Sequence, residues 1–182
     1  MLPLRYAAAM MIRAALSEDV PQIVAIEQIP EYRNYIGAWT AEEHLRAMAD
    51  ADNEYFVICD GESSAEGFYI LQGVQSPHHS LHLKRIAVRT PNRGFGKALL
   101  EHAMSRVFLH HSAHRFWLDV FETNVRAKRV YEGYGFRYEG VMRESILLDG
   151  KYHTVALMSL LDREYTARQH EAAQKVTAAP PL

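Results

Sequence analysis

The stretch Leu81 to Ala98, LHLKRIAVRTPNRGFGKA, constrains the fold more than any other part of the chain. Its apolar residues Leu81, Leu83, Ile86, Ala87 and Val88 read as a short buried strand bounded by turn signals. Thr90-Pro91 stops that strand. Arg93-Gly94-Phe95-Gly96-Lys97-Ala98 then opens a helix whose apolar residues fall four apart, in the rows 99-103-107 and 100-104-108. A helix that begins in glycines offers N–H groups with no partner inside the helix, together with partial positive charge. Gly94 and Gly96 let the backbone turn sharply and approach an anion closely, and Arg93 and Lys97 add charge at the same place. The pattern points to a pyrophosphate-bearing ligand, although glycines also serve in plain strand-to-helix turns. It is not a P-loop, because Ala98 follows Lys97 and no glycine lies five residues before Gly96. It is not a dinucleotide fingerprint either, since Leu99 stands where the third glycine belongs.

Arg93-x-x-Gly96-x-Ala98, five residues after Val88, resembles the acetyl-CoA signature Q/R-x-x-G-x-G/A of the GNAT superfamily of N-acetyltransferases. Trp117-Leu118-Asp119-Val120, Asn124, Ala127, Tyr131 and Gly135-Phe136 resemble that family's later strand, its N-x-x-A segment, its tyrosine and its closing YxxxGF turn. The resemblance spans about residues 12 to 160 in the family's usual order. It implies an α/β (α+β) domain, a splayed mixed sheet flanked by helices, with acetyl-CoA between strands 81–88 and 115–121. It implies direct attack of an amine on the thioester in a ternary complex.

By that resemblance the 93–98 loop, with Arg93, Gly94, Phe95, Gly96, Lys97 and Ala98, holds the pyrophosphate of acetyl-CoA. The strand edge at Ile86, Ala87 and Val88 pairs with the cofactor arm as a peptide adds to a sheet, and its amides offer a donor to the thioester oxygen. Asn124 bonds the arm or caps a helix, or does both. Tyr131 is the acid toward the leaving thiolate. Asp119, twelve residues before Tyr131, is the first choice of base, its pKa raised by burial. The other reading of Asp119 is an ion pair with an arginine, and His82, Glu27 or a water are reserve bases. Tyr32, Arg33, Tyr35 and Trp39 are substrate-side residues, or else aromatics packed on the sheet. The block from Arg137 to Met158 resembles the branch that acetylates ribosomal-protein N-termini, antibiotics or polyamines, but Thr154 stands where that branch often has Asp. The acceptor is a small-molecule amine or a peptide N-terminus. Rival readings are a longer acyl donor and a non-catalytic acyl-CoA-sensing or partner-binding module.

Composition narrows the class. A chain of 182 residues suits one domain, expected at 12–161 between an N-terminal extension 1–11 and a tail 162–182 that continues as a short helix. A net charge of −2 argues against a nucleic-acid binder. No apolar run reaches the roughly 20 residues of a membrane span, so the cytoplasm is expected. The single cysteine, Cys59, reads as buried filler. His78-His79 and the His110, His111, His114 cluster lack the spacing of a zinc site, so no metal is expected.

Ser17 reads as a helix cap followed by Asp19 and Pro21, and Thr40 with Glu43 as a capping box. Leu45, Met48 and Ala49 are expected to face inward. Glu54–Cys59 and Gly67–Gly73 read as a hairpin turning at Asp60-Gly61, and a second hairpin turns at Asp149-Gly150. Exposed edges at 136–161 fit a monomer or a homodimer.

Overall fold

A computed structural model describes residues 10–32, 35–61 and 64–177. Strand β1 is Met10–Ala14, beginning two residues ahead of the expected domain start. A 3₁₀ turn, Ser17–Asp19, leads into helix α1, Val20–Glu27. Ser17 is not the cap. Asp19 takes that work, accepting the Leu16 N–H at 2.7 Å while gripping Arg13 through both carboxylate oxygens. Helix α2, Ala41–Met48, starts at the expected capping box. The Thr40 hydroxyl accepts the Glu43 N–H at 3.2 Å, and the Glu43 carboxylate accepts the Thr40 N–H at 2.7 Å.

Strands β2 (Asn53–Asp60), β3 (Ala65–Gln72) and β4 (Ser80–Val88) follow, then helix α3 (Phe95–Ser105) with a π turn at Arg106–His110. Strand β5 is Arg115–Phe121, helix α4 Val125–Gly133, strand β6 Arg137–Leu148, strand β7 Lys151–Leu161, and helix α5 Asp162–Thr177. The tail thus forms a 16-residue helix. The strand order is β1-β2-β3-β4-β5-β7-β6. All pairings named below are antiparallel except β4 with β5, which makes the sheet mixed.

The chain clusters into two compact units, Met1–Val74 with Leu83–Ala103, and Gln75–His82 with Met104–Leu182. In the first, β1 pairs with β2 and β2 with β3, with a bulge at Ile58/Cys59. Its core is built from Ile23, Ile26, Val57, Phe68, Ile70 and Ala87, all nearly solvent-free, and Cys59 is buried there with a free thiol. Leu99, Leu100 and Ala103 show that α3 buries the expected rows. Helix α2 departs from expectation: His44 is buried, whereas Leu45 and Ala49 are exposed.

In the second unit, Ser80, Leu81 and His82 pair in parallel with Arg115, Phe116 and Trp117, and among the described residues the ladder goes no further. Strand β5 pairs with β7, and β7 with β6 across the Asp149-Gly150 turn, whose two residues have φ of 48° and 73°. Strand β6 ends the strand order and leaves Tyr138, Val141, Met142 and Leu147 exposed. Alternation along β5 buries Phe116, Leu118 and Val120 and puts Trp117 and Asp119 on the other face, as expected. Among the described residues no helix is long and apolar enough to cross a membrane.

Candidate active site

The glycine-rich loop is built as the sequence predicts. Gly94 has φ +84°, a conformation that a side chain at that position would strain. The first helical hydrogen bond runs from the Ala98 N–H to the Gly94 carbonyl at 3.0 Å, so the N–H groups of residues 95–97 lie ahead of the helical ladder. A Cβ placed on Gly94 would meet nothing within 4 Å, and one on Gly96 only the Val88 Cγ1 at 3.8 Å. Open space above unladdered amides at a helix N-terminus fits a phosphate. Phe95 is buried and anchors the turn. Arg93 lies over the Phe95 ring and donates to Asp60 at 2.8 Å, so a bound phosphate would share a guanidinium already held in place. Lys97 is largely exposed, 3.8 Å from Glu101.

Strand β4 turns alternate residues to its two edges. The Arg89 N–H donates to the Glu66 carbonyl, and the Ala87 carbonyl faces Gly67, so residues 87 and 89 address β3. The Ala87 backbone is thus directed to β3. Ile86 and Val88 address the other edge. At Val88 the Tyr32 hydroxyl donates to the carbonyl at 2.7 Å and accepts the N–H at 3.2 Å.

The segment holding the expected substrate-side residues is tied down by charge. Glu27, fully buried, accepts from the Arg85 guanidinium and from the Trp39 N–H. Arg85 lies 4.0 Å above the Trp39 ring. His44 Nε2 is 3.2 Å from Glu27 Oε2 but out of line for a hydrogen bond, and its Nδ1 is 3.4 Å from the Tyr55 hydroxyl. Burial pushes the Tyr55 phenol up to about 12. Glu27 is thus held in a buried ion pair with Arg85. Tyr32 and Trp39, partly buried, pack on the core cluster. Tyr35 sits in the turn, its N–H on the Tyr32 carbonyl, and Arg33 lies outside the described residues. Neither Arg85 nor His44 stood out in the sequence; an arginine inside the apolar run LHLKRIAV was the available signal.

The proton-transfer candidates are in the second unit. His82 Nε2 lies 2.9 Å from Asp119 Oδ1. The His82 ring stacks on Trp117, centroids 3.9 Å apart and planes 7° apart. Tyr131 packs against Phe136, and burial, aided by the Asp119 charge, raises its phenol above the ordinary value. Such a tyrosine is protonated at neutral pH, but the raised value makes it a weak donor toward a thiolate. Asn124 caps α4, its Oδ1 accepting the Ala127 N–H at 3.1 Å. That leaves its amide NH₂ as the donor for any ligand carbonyl. Thr154, the departure from the branch pattern, accepts the Glu144 N–H at 3.2 Å and pins a β6 bulge in which Glu144 has φ +52°. Arg143, Glu144 and Thr154 line an open cleft of about 540 Å³. Among the described residues, no three His, Cys, Asp or Glu side chains gather to hold a metal.

The chain is 26% identical over 154 residues to a spermidine N(1)-acetyltransferase of Vibrio cholerae serotype O1, covering 79% of this chain and 89% of that one. Its fold matches a crystal structure of a Vibrio cholerae spermidine N-acetyltransferase in complex with CoA and spermine, with a TM-score of 0.75 and 24% identity over 86% of this chain and 98% of the other. A mutant form of the spermidine/spermine enzyme from the same organism also has a TM-score of 0.75, at 23% identity over 88% and 98% of the two chains. The model of the Acetyltransferase (GNAT) family matches residues 14–136. That match covers more than half of the chain and includes both motif blocks, so the chain belongs to the GNAT family, N-acetyltransferases that move an acetyl group from acetyl-CoA to an amine.

Proposed function

We propose that the acceptor of this acetyltransferase is a small polyamine of the spermidine type. The observation that carries this reading is the similarity to the Vibrio spermidine acetyltransferase along 89% of that enzyme's length. The net charge of −2 is compatible with a polycationic substrate. A peptide N-terminus is the weaker reading, because the relatives the chain resembles are named for spermidine and spermine.

In the mechanism we infer, the 93–98 loop binds the pyrophosphate of acetyl-CoA through backbone N–H groups, and the Ile86 and Val88 edge of β4 aligns the arm. Asn124 donates its amide to that arm. The Asp119–His82 pair takes the proton that the ammonium must lose to become a nucleophile, and Tyr131 protonates the departing thiolate. A thiol is already a fair leaving group, so the acid contributes modestly. A soluble enzyme working on metabolites or newly made proteins fits the cytoplasm.

The test is thiol release from acetyl-CoA with spermidine, spermine, and peptides with free N-termini. Turnover with the polyamines and not the peptides supports the reading, and the reverse moves the acceptor to peptides. Coenzyme A binding with no turnover on any amine favours a sensing module, and faster release from longer acyl thioesters favours a different donor.

A further inference from the structure

Resting on that acetyltransferase reading, we propose that His82 is the proton acceptor for the attacking amine and that Asp119 is the residue that positions it. Asp119 alone looked the better base, because an acid inside an apolar strand is costly unless it has work to do. The geometry divides that work. An ionised carboxylate has no proton to donate, so a 2.9 Å contact with Asp119 Oδ1 requires the hydrogen on His82 Nε2. The other ring nitrogen, Nδ1, then carries the lone pair. This is the arrangement in which a carboxylate fixes one imidazole tautomer and stabilises the cation that forms when the ring takes a proton.

Two further features hold the ring in that state. Trp117, the cross-strand partner of His82, stacks flat on it at 3.9 Å, which fixes the ring plane and offers a π-face to the imidazolium. His82 is also the last residue of β4 in the parallel ladder. Both side chains keep a route to solvent, with 11% of the His82 and 23% of the Asp119 side chain exposed. Several described groups face the pair. On β5 they are Trp117 and Asp119. On β7, Leu157 lies opposite Asp119, and Ser159, opposite Trp117, gives its hydroxyl to Glu139. On α4, Tyr131 feels the Asp119 charge.

The proton balance is complete. The ammonium gives one proton to His82 Nδ1, which passes it to solvent. The amine lone pair bonds to the acetyl carbon, the C–S bond breaks, and sulfur leaves with its electron pair. Tyr131 protonates the thiolate, and the second proton lost by the nitrogen restores the phenol.

The experiment measures kcat and KM with spermidine for the full-length His82→Gln, His82→Gly and Asp119→Asn variants. Coenzyme A affinity by calorimetry and thermal unfolding confirm that each still folds. His82→Gln is expected to lose about 10²- to 10⁴-fold in kcat, the usual range for a general base, with coenzyme A affinity unchanged. Asp119→Asn is expected to lose less, and added imidazole to restore part of the His82→Gly rate. A purely structural histidine would show no such rescue. Parent-like turnover by His82→Gln overturns the proposal while leaving the acetyltransferase reading intact. So does failed rescue with Asp119→Asn as damaged as His82→Gln. No turnover by the parent chain with any amine overturns both.

Discussion

Gly96 separates the needs of the fold from those of the ligand. A methyl group there meets only the Val88 Cγ1 at 3.8 Å, an ordinary contact, so the folded chain has room for it. Alanine also favours a helix over glycine by about 0.5–1 kcal/mol. A phosphate cradled on the first-turn amides would lose that same space. Gly96→Ala should therefore unfold at the parent's temperature or slightly above, yet bind acetyl-CoA about tenfold more weakly by calorimetry. Undiminished affinity would take the pyrophosphate away from this loop. The position was legible in the sequence, because a glycine repeat between an apolar strand and an amphipathic helix is a local pattern. The His82–Asp119 contact was not. It joins residues 37 apart in sequence, and which side chains meet depends on β4 pairing with β5 in one register.

Among the elements, strands and helix starts were readable because period-two alternation, capping boxes and Asp-Gly turns are short-range. The face of α2 was not. Apolarity selects Leu45 and Ala49 for the interior, but His44 is buried instead, a rotation of about one residue, or 100° of helix. Glu27 explains the difference. Its buried carboxylate must be compensated, and Arg85, His44 and the Trp39 N–H gather around it. The same demand anchors the segment that carries Tyr32 to β4. There the Tyr32 hydroxyl holds the N–H and carbonyl of Val88, the pair of groups that an incoming cofactor arm would take. Binding would then require those bonds to be exchanged. Tyr32→Phe removes the competitor, and water at the vacated groups is displaced at little cost. With a net value near 1 kcal/mol per hydrogen bond, coenzyme A should bind about fivefold more tightly to Tyr32→Phe. Unchanged or weaker binding by calorimetry would show that Tyr32 does not guard the edge.

For the molecule as a whole, the sequence reads as one domain, and the order of elements is as expected. The boundary between two compact units passes through β4 and α3, the two elements that carry the cofactor motif. No composition shift marks it, since both sides belong to continuous strands and helices. Among the described residues, Asp19 in the first unit and Glu139 in the second have pKa values depressed chiefly by a hydrogen-bonded arginine, Arg13 and Arg115, Glu139 to about 2. The linkage has a definite sign. A carboxylate with a folded pKa below its unfolded one binds fewer protons in the native state. It contributes stability above its ordinary value, 4.5 for Glu139, and loses that contribution as pH falls toward about 2. Chemical-denaturation midpoints should therefore decline across that interval. Glu139→Gln should lower the midpoint slightly at neutral pH and flatten the decline, because no proton is then taken up at this position. The effect at neutral pH stays small, since 37% of the Glu139 side chain is exposed and water screens the pair. A variant whose midpoint falls between pH 4.5 and 2 as steeply as the parent's would show that the Arg115–Glu139 pair takes no part in acid unfolding.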